Sequence, residues 1–307
     1  MDTQNMASSN SILSYGLSSI VLRRKIPLLA SFKVTYRCNL RCNGCPYHRR
    51  ARRPGAHIRW EQAVEALNEL ERLGCRFVIF EGGEPLLWSD GRHDFSDLAE
   101  EARTMFMKVG VTTNGTVSLD VPTDLLWVSM DGTRDQHNRR RDGSFDRALH
   151  NIRVSQHKRI YIHYTVNREN IDDIPVLAQT LRGEQNIRGI TFQFFYPYAQ
   201  GELDLALSQT ERRRAVQTIL ELKRSGVLPV LNSPASLKRM VENTWRCRPW
   251  MLANVDPDGN LWTGCYLQER GEIRCQYCGF TPVAEASLAL ALHPGALYAG
   301  WRIFLRS

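Results

Sequence analysis

An α/β fold built on a parallel sheet is what this sequence predicts, and three observations carry that expectation. Short segments rich in β-branched and aromatic residues recur between residues 31 and 195. Stretches with helical apolar spacing alternate with them. Beyond residue 228 the alternation stops and a turn-rich, cysteine-containing tail begins. A chain of 307 residues, 43% of them hydrophobic, suffices for one large barrel core and a small appendage. The expected architecture is therefore a partial (β/α)6 barrel of TIM type. Residues 1–30 form an N-terminal segment, 31–228 the barrel and 229–307 a small Cys-containing extension.

The expected strands are 31–37, 76–81, 108–113, 125–131, 159–166 and 188–195, apolar enough to be buried on both faces. Helices are expected at 59–73, 94–106, 144–157, 171–182 and 208–225. In the first of them Trp60, Val64, Leu67 and Glu71 share a face, and Gly74 supplies a stop signal. The link between the third and fourth strands, residues 117–124, is too short for a full helix. In the tail, Asp258-Gly259 between two apolar runs signals a hairpin. Barrels of this kind hold ligands at the C-terminal ends of their strands, where chemistry-bearing residues are to be sought.

No run of eighteen apolar residues predicts a membrane span, and residues 1–10 do not read as a secretory signal. The expectation is a cytoplasmic protein. Residues 11–25, apolar and then basic, leave peripheral membrane contact open, although packing on the barrel is the commoner fate. The net charge of +8 is concentrated at Arg37, Arg41, Arg49, Arg50, Arg52 and Arg53. That stretch suits phosphate, nucleic acid or anionic headgroups, or is simply a solvated loop. Eight cysteines in short-spaced groups point to metal rather than disulfides. Cys75, alone after Gly74, reads as a buried structural thiol.

Cys38, Cys42 and Cys45 follow the first strand as CxxxCxxC. Three thiolates hold a 4Fe–4S cluster with one iron left for an outside ligand, such as the amino and carboxylate groups of an amino acid. A zinc site completed by His48 or His57 is the competing reading. Gly82, Gly83 and Glu84 end the second strand in a GGEP motif: paired glycines allow close backbone approach, and a carboxylate accepts from an ammonium. Asn114 ends the third strand, and Ser129 and Asp131 the fourth, with polar groups suited to ribose or an amino acid.

In this order, each at a strand end, these motifs resemble the radical S-adenosylmethionine (SAM) superfamily over roughly residues 31–200. The resemblance implies that Cys38, Cys42 and Cys45 bind the cluster, whose open iron chelates the methionine part of SAM. Gly82, Gly83 and Glu84 would hold its amino group, with Asn114, Ser129, Asp131 and Asn167 near its ribose or carboxylate. It also implies reductive cleavage of SAM to a 5′-deoxyadenosyl radical, fed by a flavodoxin or ferredoxin. Many members carry an aromatic residue just before the third cysteine; Gly44 stands here, so the usual adenine contact lacks its residue.

Cys247, Cys265, Cys275 and Cys278 in the tail are candidates for a second Fe–S cluster or a structural zinc. The tail looks like auxiliary-cluster domains of the SPASM and twitch type, except that five residues rather than four separate Gly259 from Cys265. Asn232-Ser-Pro, Cys247-x-Pro-Trp, Cys265-Tyr-Leu and Cys275-x-x-Cys278-Gly-Phe-x-Pro resemble the hopanoid-biosynthesis (adenosyl-hopene transferase-like) radical SAM family more closely. That resemblance implies a hydrophobic, isoprenoid-type or lipid small-molecule substrate and adenosyl transfer or hydrogen abstraction. A peptide-modifying maturase ranks second, since the short N-terminal segment offers no leader-binding domain. A zinc-stabilised nucleic-acid-binding protein ranks third because it leaves the strand-end motifs unexplained; nucleic acid is the least expected partner.

Overall fold

The computed structural model describes residues 12–198, 202–268 and 272–306. The polar stretch 1–10, read above for a secretory signal, lies outside these. Six strands lie side by side in sequence order, each parallel to the next: β1 (Leu29–Thr35), β2 (Phe77–Gly82), β3 (Lys108–Thr113), β4 (Leu125–Ser129), β5 (Ile160–Val166) and β6 (Ile187–Phe194). Each falls within two residues of its expected span. All five residues of β4 are buried, as a strand covered on both faces requires.

The described helices of eight or more residues, or of seven where a cap or partner holds them, are α1 (Trp60–Arg72), α2 (Phe95–Met105), α3 (Arg134–Arg140), α4 (Phe145–Val154), α5 (Asp173–Thr180), α6 (Gln209–Ser225), α7 (Pro234–Met240), α8 (Thr281–Leu290) and α9 (Pro294–Gly300). Helix α1 buries Ala63, Ala66, Leu67 and Leu70, so its core face is rotated from the expected one: Trp60 and Val64 lie at its margin and Glu71 is not buried. Helix α4 stops at Val154, three residues early. Ser155 turns extended there, and its hydroxyl donates to Asp120 at 2.8 Å. Helix α3 was not expected, because its residues RDQHNRR carry no apolar period; Gln136, His137 and Arg140 are nonetheless buried. No helix forms between β3 and β4, as the short link requires.

The tail joins the same sheet. β7 (Leu252–Val255) pairs in parallel with β1, from Leu29 opposite Leu252 to Phe32 opposite Val255. β8 (Leu261–Thr263) returns antiparallel to β7 through a turn with Gly259 at φ +86°. The hairpin is the one expected; its attachment to β1 is not legible in a four-residue strand. The full order is β6-β5-β4-β3-β2-β1-β7-β8, an open sheet. The outer edge of β6 is met by the stretch 229–231 and by Gly279, whose carbonyl accepts from Phe194 N at 3.1 Å. Both edges of this kind would otherwise invite pairing with another chain.

The main core lies between strands and helices and includes Cys75, buried as expected. A second, smaller cluster of Leu125, Trp127, Tyr161 and Leu231 faces the other way, and Ile303 and Phe304 from the C-terminal turn pack into it. Phe304 stacks on Phe77 at 4.4 Å, so residues 301–305 plug the end of the barrel opposite the cysteines. Among the described residues no helix is long and apolar enough to cross a membrane. Of the apolar N-terminal stretch, Tyr15 is buried and donates to the Ile26 carbonyl at 2.9 Å, while Leu13 stands 81% exposed.

Candidate active site

The strand ends surround a cavity of about 220 Å³. Cys38, Cys42, Cys45, Gly82, Gly83, Asn114, Ser129, Asp131 and Asn167 all line it, so every barrel residue singled out from sequence converges there except Glu84. The cysteine loop leaves β1 and is braced from inside. Cys38 Sγ accepts from Leu40 N at 3.4 Å and from Asn114 Nδ2 at 3.7 Å; Cys45 Sγ accepts from Tyr47 N at 3.4 Å. Burial pushes the Cys38 thiol up to about 12 and the Cys42 thiol to about 11, with Arg141 opposing the rise at Cys42. A metal taking these sulfurs as thiolates must therefore displace protons.

The paired glycines meet the protein before they meet a ligand. A Cβ on Gly82 would fall 2.3 Å from Thr35 O, and one on Gly83 would fall 2.0 Å from Arg37 O. Only bare backbone lets the end of β2 press against the strand that leads into Cys38, with Gly83 N donating to Thr35 O at 2.7 Å and Glu84 N to Arg37 O at 2.9 Å.

Glu84 stands apart from the other strand-end residues. It is fully buried and absent from the cavity wall. Its carboxylate accepts from Thr113 Oγ1 at 2.7 Å, Asn114 N at 2.7 Å and Leu86 N at 3.1 Å. Burial pushes it up to about 7 against these three donors. It holds the loop that carries Asn114.

Asn114 points its amide at Cys38 and Asn39, while its Oδ1 takes the Thr116 N–H at 2.9 Å. Asp131 binds Arg141 Nε at 2.6 Å and Thr165 N at 2.7 Å. Burial alone would raise its carboxyl, yet Arg141 and the Thr165 amide outweigh burial and hold it below the usual carboxylate range. Asn167 Oδ1 accepts from Glu169 N at 2.9 Å and fixes the loop after β5. Sequence reasoning missed Arg140 and Arg141, which also line the cavity, because a run of three arginines reads as a solvated helix face. At Gly44, with φ +77°, a Cβ would sit 3.0 Å from the Phe195 ring; Phe195, Tyr196 and Tyr198 bring aromatic faces to the cavity from the end of β6 instead.

Residues 32–181 match the radical SAM superfamily. The chain carries a radical SAM domain. Domains of this family use a 4Fe–4S cluster and SAM. Fe-coproporphyrin III synthase of Methanosarcina barkeri is 30% identical over 207 residues, 63% of this chain and 51% of that one. Mycofactocin maturase MftC of Mycobacterium tuberculosis is 30% identical over 165 residues, 50% and 41% of the two chains. The chain spans about half the length of the curated relatives it matches. Among solved structures, SuiB of Streptococcus suis bound to its precursor peptide SuiA superposes with a TM-score of 0.64 at 14% identity, covering 95% of this chain and 70% of that one. The enzyme anSMEcpe with bound AdoMet gives 0.59 at 16% identity, covering 91% and 88%. Both show a common fold. These relatives carry porphyrin and maturase names, so the hopanoid resemblance of the tail is not borne out and an isoprenoid substrate gains no support.

The tail borders the radical SAM domain's cavity from both ends of the sheet: Tyr266 and Leu267 follow β8, and Cys278, Gly279 and Phe280 lie against the end of β6. Cys278 lines the cavity together with Gly279 and Phe280. Desolvation of its sulfur pushes the Cys247 thiol up to about 12, with Cys278, Cys265 and Cys275 close enough to add to the rise; the four thiols share one neighbourhood. Among the described residues no three His, Cys, Asp or Glu side chains are gathered to hold a single metal ion. Between the two cysteine groups runs a polar chain. Lys33, 1% exposed, lies 3.5 Å from Glu81, donates to Asn254 Oδ1 at 3.1 Å and sits over the Tyr266 ring at 4.7 Å. Tyr266 OH donates to Glu81 Oε2 at 3.1 Å and lies 2.7 Å from Tyr47 OH. Tyr47 is two residues past Cys45, and Tyr266 follows Cys265.

Proposed function

We propose that this chain is a radical SAM enzyme that oxidises a peptide substrate, using an auxiliary Fe–S site in its tail. The observation that carries this reading is Cys278: it stands in the wall of the same cavity as Cys38, Cys42 and Cys45. A structural metal site has no need to border the reaction chamber, whereas an electron acceptor does. When bound, the cluster and SAM supply a 5′-deoxyadenosyl radical, and a second cluster supplies the acceptor.

The chain's own residues fit these groups. Cys38, Cys42 and Cys45 offer three sulfurs on one loop, two of them already receiving N–H donors, as a cluster's sulfurs are tuned in general. Arg141 adds a positive charge beside Cys42, suited to the carboxylate of an amino acid held at the open iron, with Ser129 next to it on the wall. Phe195 and Tyr196 offer faces for adenine where Gly44 offers none. Cys247, Cys265, Cys275 and Cys278 hold the auxiliary site, in the manner of SPASM-type tails. Glu81, paired with Lys33 and facing the cavity, takes the proton that leaves an oxidised substrate carbon. A flavodoxin or ferredoxin is the electron donor.

The likeness to mycofactocin maturase supports the peptide substrate. A tetrapyrrole is the second reading, favoured by the longer stretch of identity with Fe-coproporphyrin III synthase. The test is mass spectrometry of products from anaerobically reconstituted, reduced protein beside Cys42→Ala. 5′-Deoxyadenosine that forms only with Cys42 intact is expected, and a colourless protein that binds zinc alone overturns the reading. Incubation with candidate peptides and with coproporphyrin then separates the two substrates by the mass lost.

A further inference from the structure

Beneath the cysteine-lined cavity lies a second one, of about 310 Å³, and its walls are more apolar. Ile79, Trp127, Leu252, Ala286 and Phe304 are among the side chains that line it, drawn from the barrel interior, helix α8 and the C-terminal plug. The two cavities share Glu81, Thr112, His163, Gln193, Tyr266 and Phe280. These six form a mostly polar collar between the upper chamber that holds the cysteines and a more apolar lower one. Lys33 and Ser31 fix the collar's carboxylate, Glu81, from below. Burial keeps His163 neutral at physiological pH, so the collar adds hydrogen-bonding groups there without a second cation. At the rim of the lower chamber Leu297 and Trp301 remain 45% and 44% exposed, leaving an apolar way in.

We propose that the lower chamber is the specificity pocket for one large apolar side chain of the peptide, whose main chain rests at the collar. The proposal rests on peptide oxidation as the activity. Three properties select this occupant. The chamber has the low end of the volume of small-molecule sites, about 300–1,000 Å³, room for one aromatic or branched side chain but not for an enclosed tetrapyrrole. Its walls are mainly apolar and reward apolar burial; Asn232, which pairs with the Phe192 backbone, and Glu285, one of whose oxygens accepts from Ser233 N, are polar exceptions at the side of helix α8. The collar's hydrogen-bonding side chains, Thr112, His163 and Gln193 among them, suit the N–H and C=O groups that a peptide presents on either side of that side chain. With the side chain directed downward, the carbons nearest the main chain, Cα and Cβ, are the ones presented towards the cysteines.

The experiment is calorimetric titration of the reconstituted holoenzyme with SAM, using N-acetyl-phenylalaninamide, N-acetyl-leucinamide and N-acetyl-glycinamide as probes. The phenylalanine and leucine probes are expected to bind about tenfold or more tightly than the glycine probe, as burial of such a side chain implies. Ala286→Phe and Ala289→Phe, on one face of α8 and clear of the cysteines, narrow the chamber and should abolish that preference. Their uncoupled release of 5′-deoxyadenosine in the absence of peptide should match the wild type, which also shows that they fold. Equal binding of all three probes, or an apolar preference that survives both variants, overturns the pocket. Size-selective binding by an enzyme that releases no 5′-deoxyadenosine would instead leave the pocket standing and remove the enzymatic reading beneath it.

Discussion

The two cysteine groups are built by opposite means. Cys38, Cys42 and Cys45 sit on one short loop, anchored by β1 on one side and by the bare glycines of β2 on the other. Cys247, Cys265, Cys275 and Cys278 come from separate segments of a tail, and Cys247 and Cys275 lie at the surface. Closing a loop of eight residues is entropically cheap beside gathering sulfurs from three places, because closure entropy grows with the length enclosed. The first site is thus largely formed by the fold itself. The second, if it takes the proposed cluster, would depend more on its metal, whose binding free energy would become folding free energy for the tail.

That contrast sets the order of expected effects. Cys42→Ala should remove SAM cleavage altogether while leaving the thermal transition of the barrel nearly unmoved, read by 5′-deoxyadenosine release and by calorimetry. A melt that collapses with Cys42→Ala would show that the first loop is as metal-dependent as the second. The pair Cys275→Ala and Cys278→Ala should keep the uncoupled cleavage of SAM, lose the iron of the tail and lose oxidised product. Limited proteolysis of this variant should cut within 242–280 first, whereas an unchanged digest would put the two sites on the same footing.

Gly83→Ala drives a methyl group into the Arg37 carbonyl, and overpacking of this sort costs about 1–3 kcal/mol. The variant should load less iron at the first site and retain that of the tail, as Mössbauer spectra would register. Glu84→Gln exchanges one of two accepting oxygens for a donor facing the Asn114 N–H, a loss of about 1–3 kcal/mol, and the melting temperature should fall accordingly. Its pH dependence has a definite sign. The folded pKa of Glu84, about 7, lies above the unfolded value near 4.3, so the stability linked to its proton is fully present below about pH 4.3 and is lost as pH rises through about 7. Glutamine does not titrate, so the gap between wild type and variant should narrow from pH 5 to pH 8; a constant gap would mean that Glu84 is ionised throughout.

The strands were legible because each is a short run of β-branched and aromatic residues that no helix could use, as in RIYIHYTV. The strand-end motifs were legible because chemistry here is held in short contiguous strings. Arg141 was not: nothing in a run of three arginines marks one as buried against Asp131, since that burial depends on helix α3, whose polar sequence gives no helical period. The surroundings of Glu84 were hidden for a related reason. A carboxylate beside two glycines looks poised for a ligand, and only the position of Asn114, thirty residues on, shows that its oxygens are already occupied. The core face of α1 was misjudged because Ala63 and Ala66, small and weakly apolar, carry the packing that Trp60 and Val64 were expected to carry. The attachment of β7 to β1 joins residues more than two hundred positions apart, beyond the reach of any local pattern.

That same attachment gives the molecule an order of assembly. β1, the strand that leads into Cys38, has its second edge filled only by β7. On a ribosome the cysteine loop and its glycine brace emerge long before Leu252, so until then the first strand stands with one flank bare. Nascent chains are vulnerable at such an edge, which templates pairing with neighbours. Residues 252–255 therefore act as a clasp on the first strand, and a ribosome that stalls before them would release a barrel with an adhesive seam beside its cysteine loop.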